Sequence, residues 1–184
     1  TKLSLLLKVL EGESEQTLAR QLKLFHERAL PDLGNNIKCG NSLIGTDFYN
    51  TPLTPLFRGE KMDSPLARGA GGVSNEERYR INPFDWDNEF PEIMKNGGFD
   101  VVIGNPPYFN ISSLEQSIFD YLSRKYSAIH TGYNDIMYYF IYQGIELLKE
   151  NGTLSMITSN YYLGNTYARP LRKYLKKHVS KIIN

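Results

Sequence analysis

The chain has 184 residues, 41% of them hydrophobic and 22% charged, a balance that fits one ordinary cored domain and excludes a disordered or fibrous chain. Its formal charge is +1, from 21 Lys and Arg against 20 Asp and Glu, so bulk charge neither favours nor excludes an anionic partner. The single cysteine, Cys39, excludes an internal disulfide and any cysteine-built metal site, which suits a reducing cytoplasm, and no apolar run reaches the roughly 20 residues of a membrane span.

Thr1-Lys2-Leu3-Ser4 carries neither an initiator Met nor a signal-peptide pattern, so the sequence is expected to be an internal piece of something longer. Leu3, Leu6, Leu7 and Leu10 recur at helical spacing, and Ser14 is placed to cap a second helix bearing Leu18, Leu22 and Phe25. Pro31-Asp32-Leu33-Gly34 ends the helical part, and Asn36-Ile37-Lys38-Cys39-Gly40 reads as a short strand entering a turn. From Thr46 to Gly98 the periodicity dissolves into a long insert, with a mobile loop expected near residues 58 to 76. Within it, Phe84, Trp86 and Phe90 are aromatic enough to pack back onto the domain.

Phe99-Asp100-Val101-Val102-Ile103-Gly104 is the clearest strand, an apolar β-branched run expected to be buried on both faces. Helices are predicted over Leu114–Tyr126, Asp135–Lys149 and Tyr167–Lys177, a second buried strand over Gly152–Thr158, and a strand start at Lys181–Ile183. This alternation predicts a doubly wound α/β fold with a mainly parallel sheet, in which ligands gather beyond the carboxyl ends of the strands. Arg169, Arg172, Lys173, Lys176, Lys177, His178 and Lys181 run without an acidic residue; a solvated helix face accounts for them as well as contact with phosphate does. His26, His130 and His178 lack metal-ligand spacing, so no metal is expected.

Asn105-Pro106-Pro107-Tyr108-Phe109 leaves the carboxyl end of the clearest strand. Each proline fixes φ, lacks an amide hydrogen and biases its predecessor to extended geometry, so the loop is stiff and its carbonyls are spare. Such a loop suits a conjugated amine like that of adenine, whose lone pair must be localised on nitrogen before it attacks an electrophilic methyl. The Asn105 side-chain oxygen and the Pro106 carbonyl can each accept one amine hydrogen and stabilise the developing positive charge. Tyr108 can stack on a purine extruded from a duplex, worth about 1–3 kcal/mol. A plain turn after a buried strand, with Tyr108 a rim aromatic, is the bland alternative.

In this order the residues resemble the adenine-specific amino-methyltransferases, and more closely the fused methylase regions of type IIG and type IIS restriction-modification enzymes. Asn36 to Gly45 resembles the third motif of that family, with Asn41 where many relatives carry Asp; Phe84-Asp85-Trp86 resembles the lead-in, Asn105 to Tyr108 the catalytic motif and Leu148 to Asn160 a later strand. The resemblance implies part of a Rossmann-like methyltransferase domain spanning 1–184, with its first strands missing. It also implies methyl transfer from S-adenosylmethionine to the 6-amino group of a flipped adenine in double-stranded DNA. The implied catalytic set is Asn105, Pro106, Pro107 and Tyr108; Asn41, Ser42, Leu43, Asn105 and Asp135 would meet the cofactor, and Tyr108, Phe109, Asn160 and Tyr161 the DNA. Asp135 reads equally as a helix cap, and Asn160-Tyr161-Tyr162 as rim packing.

The glycine-rich cofactor loop of that family is absent, and Gly69 to Gly72 do not replace it, having no buried strand before them. The strand carrying Asn105 normally pairs with the first strand of such a sheet, so an open edge and self-association are expected. Methylation of a protein amide or an RNA base, or a noncatalytic nucleic-acid-binding role, remain as alternatives.

Overall fold

A computed structural model describes residues 35–49 and 75–183. The chain divides into two compact units, Thr1–Cys39 and Gly40–Asn184. The two N-terminal helices and residues 58–74 of the expected loop lie outside the described residues, whereas 75 and 76 are helical. In the first unit, residues 35 and 36 form a turn and 37–39 have no regular structure.

The second unit alternates helix and strand. Three short helices, α1 (Asn75–Ile81), α2 (Trp86–Glu89) and α3 (Pro91–Lys95), lead to strand β1 (Phe99–Gly104). Helices α4 (Gln116–Lys125) and α5 (Met137–Glu146) cross over to strand β2 (Leu148–Met156), and α6 (Arg169–His178) follows. β1 and β2 pair in parallel, the arrangement the helix–strand alternation predicts. Residues 75–98 of the insert carry more regular structure than the sequence suggests: Asp85 caps α2 by accepting the Asn88 amide, and Pro91 starts α3. Its aromatics do pack back, with Phe84, Trp86, Phe90 and Phe99 forming a chain of ring contacts that ends on β1.

Gly98 makes the sharp entry to β1, with φ at +115°, and an added Cβ there would stand 2.4 Å from the Leu147 carbonyl oxygen. β2 begins earlier than predicted and contains an excursion. Two steps on β1, Phe99 to Val101, face five on β2, Leu148 to Thr153, and Asn151 in that excursion has φ at +64°. Beyond it the register is regular to Gly104 opposite Met156.

Four strand expectations need correcting. The second strand, expected to be buried over Gly152–Thr158, is covered on one face only, with Thr153, Ser155 and Ile157 exposed. β1 is covered on one face only: Val102 and Gly104 turn toward α5, whereas Val101 and Ile103 are 51% and 80% exposed. The strand expected at Asn36–Gly40 reduces to one bridge between Asn41 and Pro83, because Pro83 has no amide hydrogen with which to continue a ladder. Lys181–Ile183 has no strand beside it among the described residues and stays irregular.

The core lies under α4, α5 and α6. Tyr121, Leu122 and Tyr126 face Met137, Tyr138, Tyr139 and Ile141, with Leu171 and Leu175 closing the far side. α5 approaches the strands closely because position 144 is glycine; a Cβ there would meet Leu154 Cδ1 at 2.7 Å and Met156 Cε at 2.9 Å.

Candidate functional site

β1 ends at Gly104 and β2 at Met156, side by side, and the Ile157 amide donates to the Gly104 carbonyl at 3.0 Å. The loop Asn105–Phe109 therefore starts at the carboxyl end of a parallel pair, where the open α/β plan places ligands. Asn105 and Pro107 are exposed, and Pro106 is buried and so anchors the turn between them. The Tyr108 hydroxyl shares its one hydrogen between the Ile157 carbonyl and, more weakly at 3.3 Å, Asn105 Oδ1, while its ring remains half exposed. That contact fixes the Asn105 amide and leaves its oxygen a second lone pair for an incoming donor.

The loop is fastened downstream to the entry of α5. The Phe109 carbonyl accepts the Ile136 amide at 2.9 Å, Asn110 forms a bridge with Asp135, and Asn110 Nδ2 donates to the Tyr133 carbonyl at 3.1 Å. Asp135 Oδ1 accepts the Met137 amide at 2.9 Å, so the helix-cap reading describes what it does. Burial pushes its carboxyl above the usual range, opposed by that amide bond. The Tyr138 hydroxyl is buried with no hydrogen-bond partner among the described residues, and burial together with the Asp135 charge pushes it up to about 12.

Asn160 and Tyr161 lie in a 3-10 turn, Asn160–Leu163, just past the end of β2, and both are exposed. Phe109 is partly exposed beside Tyr108. The structure thus gathers Asn105 to Phe109, Asp135, Asn160 and Tyr161 around the two strand ends.

Asn41, Ser42 and Leu43 are held elsewhere in the unit. Asn41 Oδ1 accepts the Leu43 amide at 3.2 Å, the Ser42 carbonyl accepts Trp86 Nε1 at 3.2 Å, and Leu43 is buried in the core. The Leu43 carbonyl accepts from Lys125 Nζ at 3.1 Å and from the Tyr126 hydroxyl at 3.0 Å. Tyr121 completes the cradle, accepting the Gly45 amide at 2.9 Å and donating to Asp47 at 2.7 Å. Burial and the Asp47 carboxylate both raise the Tyr121 hydroxyl, which therefore stays protonated as a donor. The Ser42 hydroxyl and Asn41 Nδ2 form no hydrogen bond among the described residues.

Sequence reasoning missed two supports. One is this tyrosine and lysine cradle, whose only signal is apolar helical spacing through Tyr121, Leu122 and Tyr126. The other is Asn134, which is fully buried. Its Oδ1 accepts from the Thr131 amide at 2.6 Å and hydroxyl at 2.7 Å, and its Nδ2 donates to the Ile129 carbonyl at 2.9 Å. Among the described residues no group of three His, Cys, Asp or Glu is placed to hold a metal, and no helix is long and apolar enough to cross a membrane.

The model of the Eco57I restriction-modification methylases matches residues 1–184. Over 98% of its length the chain is 32% identical to the type II restriction enzyme and methyltransferase RM.Eco57I of Escherichia coli, of which the match covers 15%. Over 49% of its length it is 33% identical to the type II methyltransferase M.BstVI of Geobacillus stearothermophilus, again covering 15% of that relative. Over 54% it is 39% identical to a putative type II restriction enzyme and methyltransferase of Methanocaldococcus jannaschii, covering 8% of it. The chain thus spans a small part of the length of these relatives, and by a family match over every residue it belongs to the Eco57I restriction-modification methylases.

Proposed function

We propose that this chain carries the catalytic loop of a DNA methyltransferase that moves a methyl group from S-adenosylmethionine to the 6-amino group of adenine. The observation that supports this most is the placement of Asn105 and Tyr108 at the carboxyl end of β1, with the Asn105 side chain exposed and oriented by the Tyr108 hydroxyl. In this reading the Asn105 oxygen and the Pro106 carbonyl accept the two amine hydrogens, and the nitrogen lone pair is freed for attack. Pro107 keeps the turn rigid, the rings of Tyr108 and Phe109 hold the extruded base, and Asn160 and Tyr161 border the DNA.

S-adenosylmethionine supplies an electrophilic methyl carried on a sulfonium. The residues at the strand ends fit such a cationic molecule: Asp135 offers a carboxylate drawn partly out of water with one amide bond made, and the Tyr138 hydroxyl forms no hydrogen bond among the described residues. In this reading Asn105 also meets the cofactor, and Asn41 Nδ2 and the Ser42 hydroxyl, which form no hydrogen bond among the described residues, would meet its adenine, with Leu43 supporting them from the core. As the nitrogen–carbon bond forms, the carbon–sulfur bond breaks, and the amine proton passes to solvent after attack. The amide of Asn105 needs no base strength for its part.

The test is transfer of labelled methyl from S-adenosylmethionine to duplex DNA by the full-length gene product, with Asn105→Ala as control. Loss of one such acceptor is expected to slow the reaction about 10²–10³-fold. Transfer to protein or RNA instead of DNA would replace the substrate, and DNA binding indifferent to Asn105 with no transfer would leave a noncatalytic binding module.

A further inference from the structure

α6 carries four cations that make neither an ion pair nor a hydrogen bond with any described residue. At about 100° per residue, Arg169, Lys173, Lys176 and Lys177 fall within an arc of about 100° on the helix surface, opposite the buried Leu171 and Leu175. All four are exposed, and none forms an ion pair or hydrogen bond with another described residue. The neighbouring basic groups are otherwise committed: Arg172 donates to the Tyr162 and Asn165 carbonyls at 2.8 and 2.6 Å, and His178 stacks on the Tyr174 ring.

Helix stability does not account for the stripe. Lys176 and Lys177 complement the negative end of the helix dipole, but Arg169 opens the helix, where the dipole disfavours positive charge. The spacings 169 to 173 and 173 to 177 also set like charges one turn apart, at a cost of a few tenths of a kcal/mol each. No acidic residue occurs anywhere in α6. An anionic partner would offset these costs.

The stripe also begins where the contacts of the catalytic loop end. Asn110 holds the Tyr133 carbonyl, the Tyr133 ring lies 5.3 Å from that of Tyr167, and Tyr167 is two residues before Arg169. Thr131 Oγ1, whose hydrogen is directed mainly at Asn134, also lies 3.3 Å from the Tyr167 carbonyl, closing the same connection. From Arg169 to Lys177 the helix runs about 12 Å, close to the axial rise of three to four nucleotides of one strand at about 3.4 Å each.

We propose that Arg169, Lys173, Lys176 and Lys177 of α6 form a phosphate-binding stripe for the DNA backbone flanking the base presented to Asn105. This rests on the reading of the loop as acting on DNA. The experiment measures the affinity of the full-length gene product for a labelled duplex over a series of NaCl concentrations, comparing wild type with the triple variant Lys173→Gln, Lys176→Gln, Lys177→Gln. Each phosphate that the variant no longer neutralises lowers the log–log salt slope by about 0.9, so a drop of about 2 to 3 is expected. The matching Lys→Arg triple should keep the wild-type slope, and all three proteins should melt together, since the side chains are exposed. Wild-type slope in the Gln variant, with DNA still methylated, would overturn the stripe alone, as would an acidic protein segment binding there instead. Failure of the wild type to bind or methylate DNA would overturn both the stripe and the reading it rests on.

Discussion

Asp135 shows how one side chain can serve the fold at a cost that suggests a second use. Its carboxylate accepts the Met137 amide, a bond that an amide oxygen would make equally well, yet burial disfavours its charge. The folded pKa is raised, so as pH climbs past about 3.9 the unfolded chain gives up its proton first and the folded state loses stability until its own pKa is passed. Asp135→Asn keeps the acceptor and removes that loss. The variant is expected to melt at or slightly above the wild-type temperature at pH 7, within about 1 kcal/mol, with the gap closing as pH falls through the carboxylate range. Methyl transfer should nevertheless drop if the charge serves the cofactor; undiminished activity would assign Asp135 to capping alone. The sequence made Asn105 and Tyr108 legible because a stiff turn after an apolar strand is a local pattern. It did not reveal the Tyr108 contact with Ile157, since the two are brought together only by the pairing of β1 with β2.

At the level of elements, α5 ties the site together. Its N-terminal approach, residues 129 to 135, is folded around Asn134, whose backbone carbonyl also accepts the Ile111 amide at 3.0 Å. Asn134→Ala would leave the Thr131 amide and the Ile129 carbonyl without partners inside the protein, at a cost on the order of 2–4 kcal/mol. Thermal or urea unfolding of the variant measures this, and a loss below about 1 kcal/mol would show that water replaces the side chain. Most helices and both strands of the parallel pair were readable from periodicity, with ends shifted by a few residues. α1 to α3 were not, because three short helices in a polar insert leave no sustained period, and their packing comes from Phe84, Trp86 and Phe90 meeting β1. The short strand at Asn36–Gly40 was overread, since apolar content alone does not supply the donor that Pro83 lacks.

At the scale of the molecule, the parallel pair is the strand core of a partial Rossmann-like methyltransferase fold, and among the described residues α5 covers one of its faces. The other face carries Val101, Ile103 and Ile157, the last two 80% and 70% exposed, beside Thr153 and Ser155. Apolar side chains lined up on a bare strand pair favour association of one copy with another. Light scattering of the isolated chain is expected to show mass rising with concentration, and Ile103→Lys to suppress that rise while lowering stability by no more than about 0.5 kcal/mol. A monodisperse monomer at every concentration would remove this expectation.

The parallel register has a kinetic consequence. Gly104 finds Met156 only after both α4 and α5 have been traversed, and parallel pairing of such distant segments is slow compared with helix formation. Asn105 leaves the ribosome well before the Ile157 carbonyl that anchors Tyr108 exists, so the loop spends part of synthesis without its clamp. The proposed site is therefore assembled late and all at once, when β2 docks, and a chain stalled earlier holds every loop residue without their arrangement.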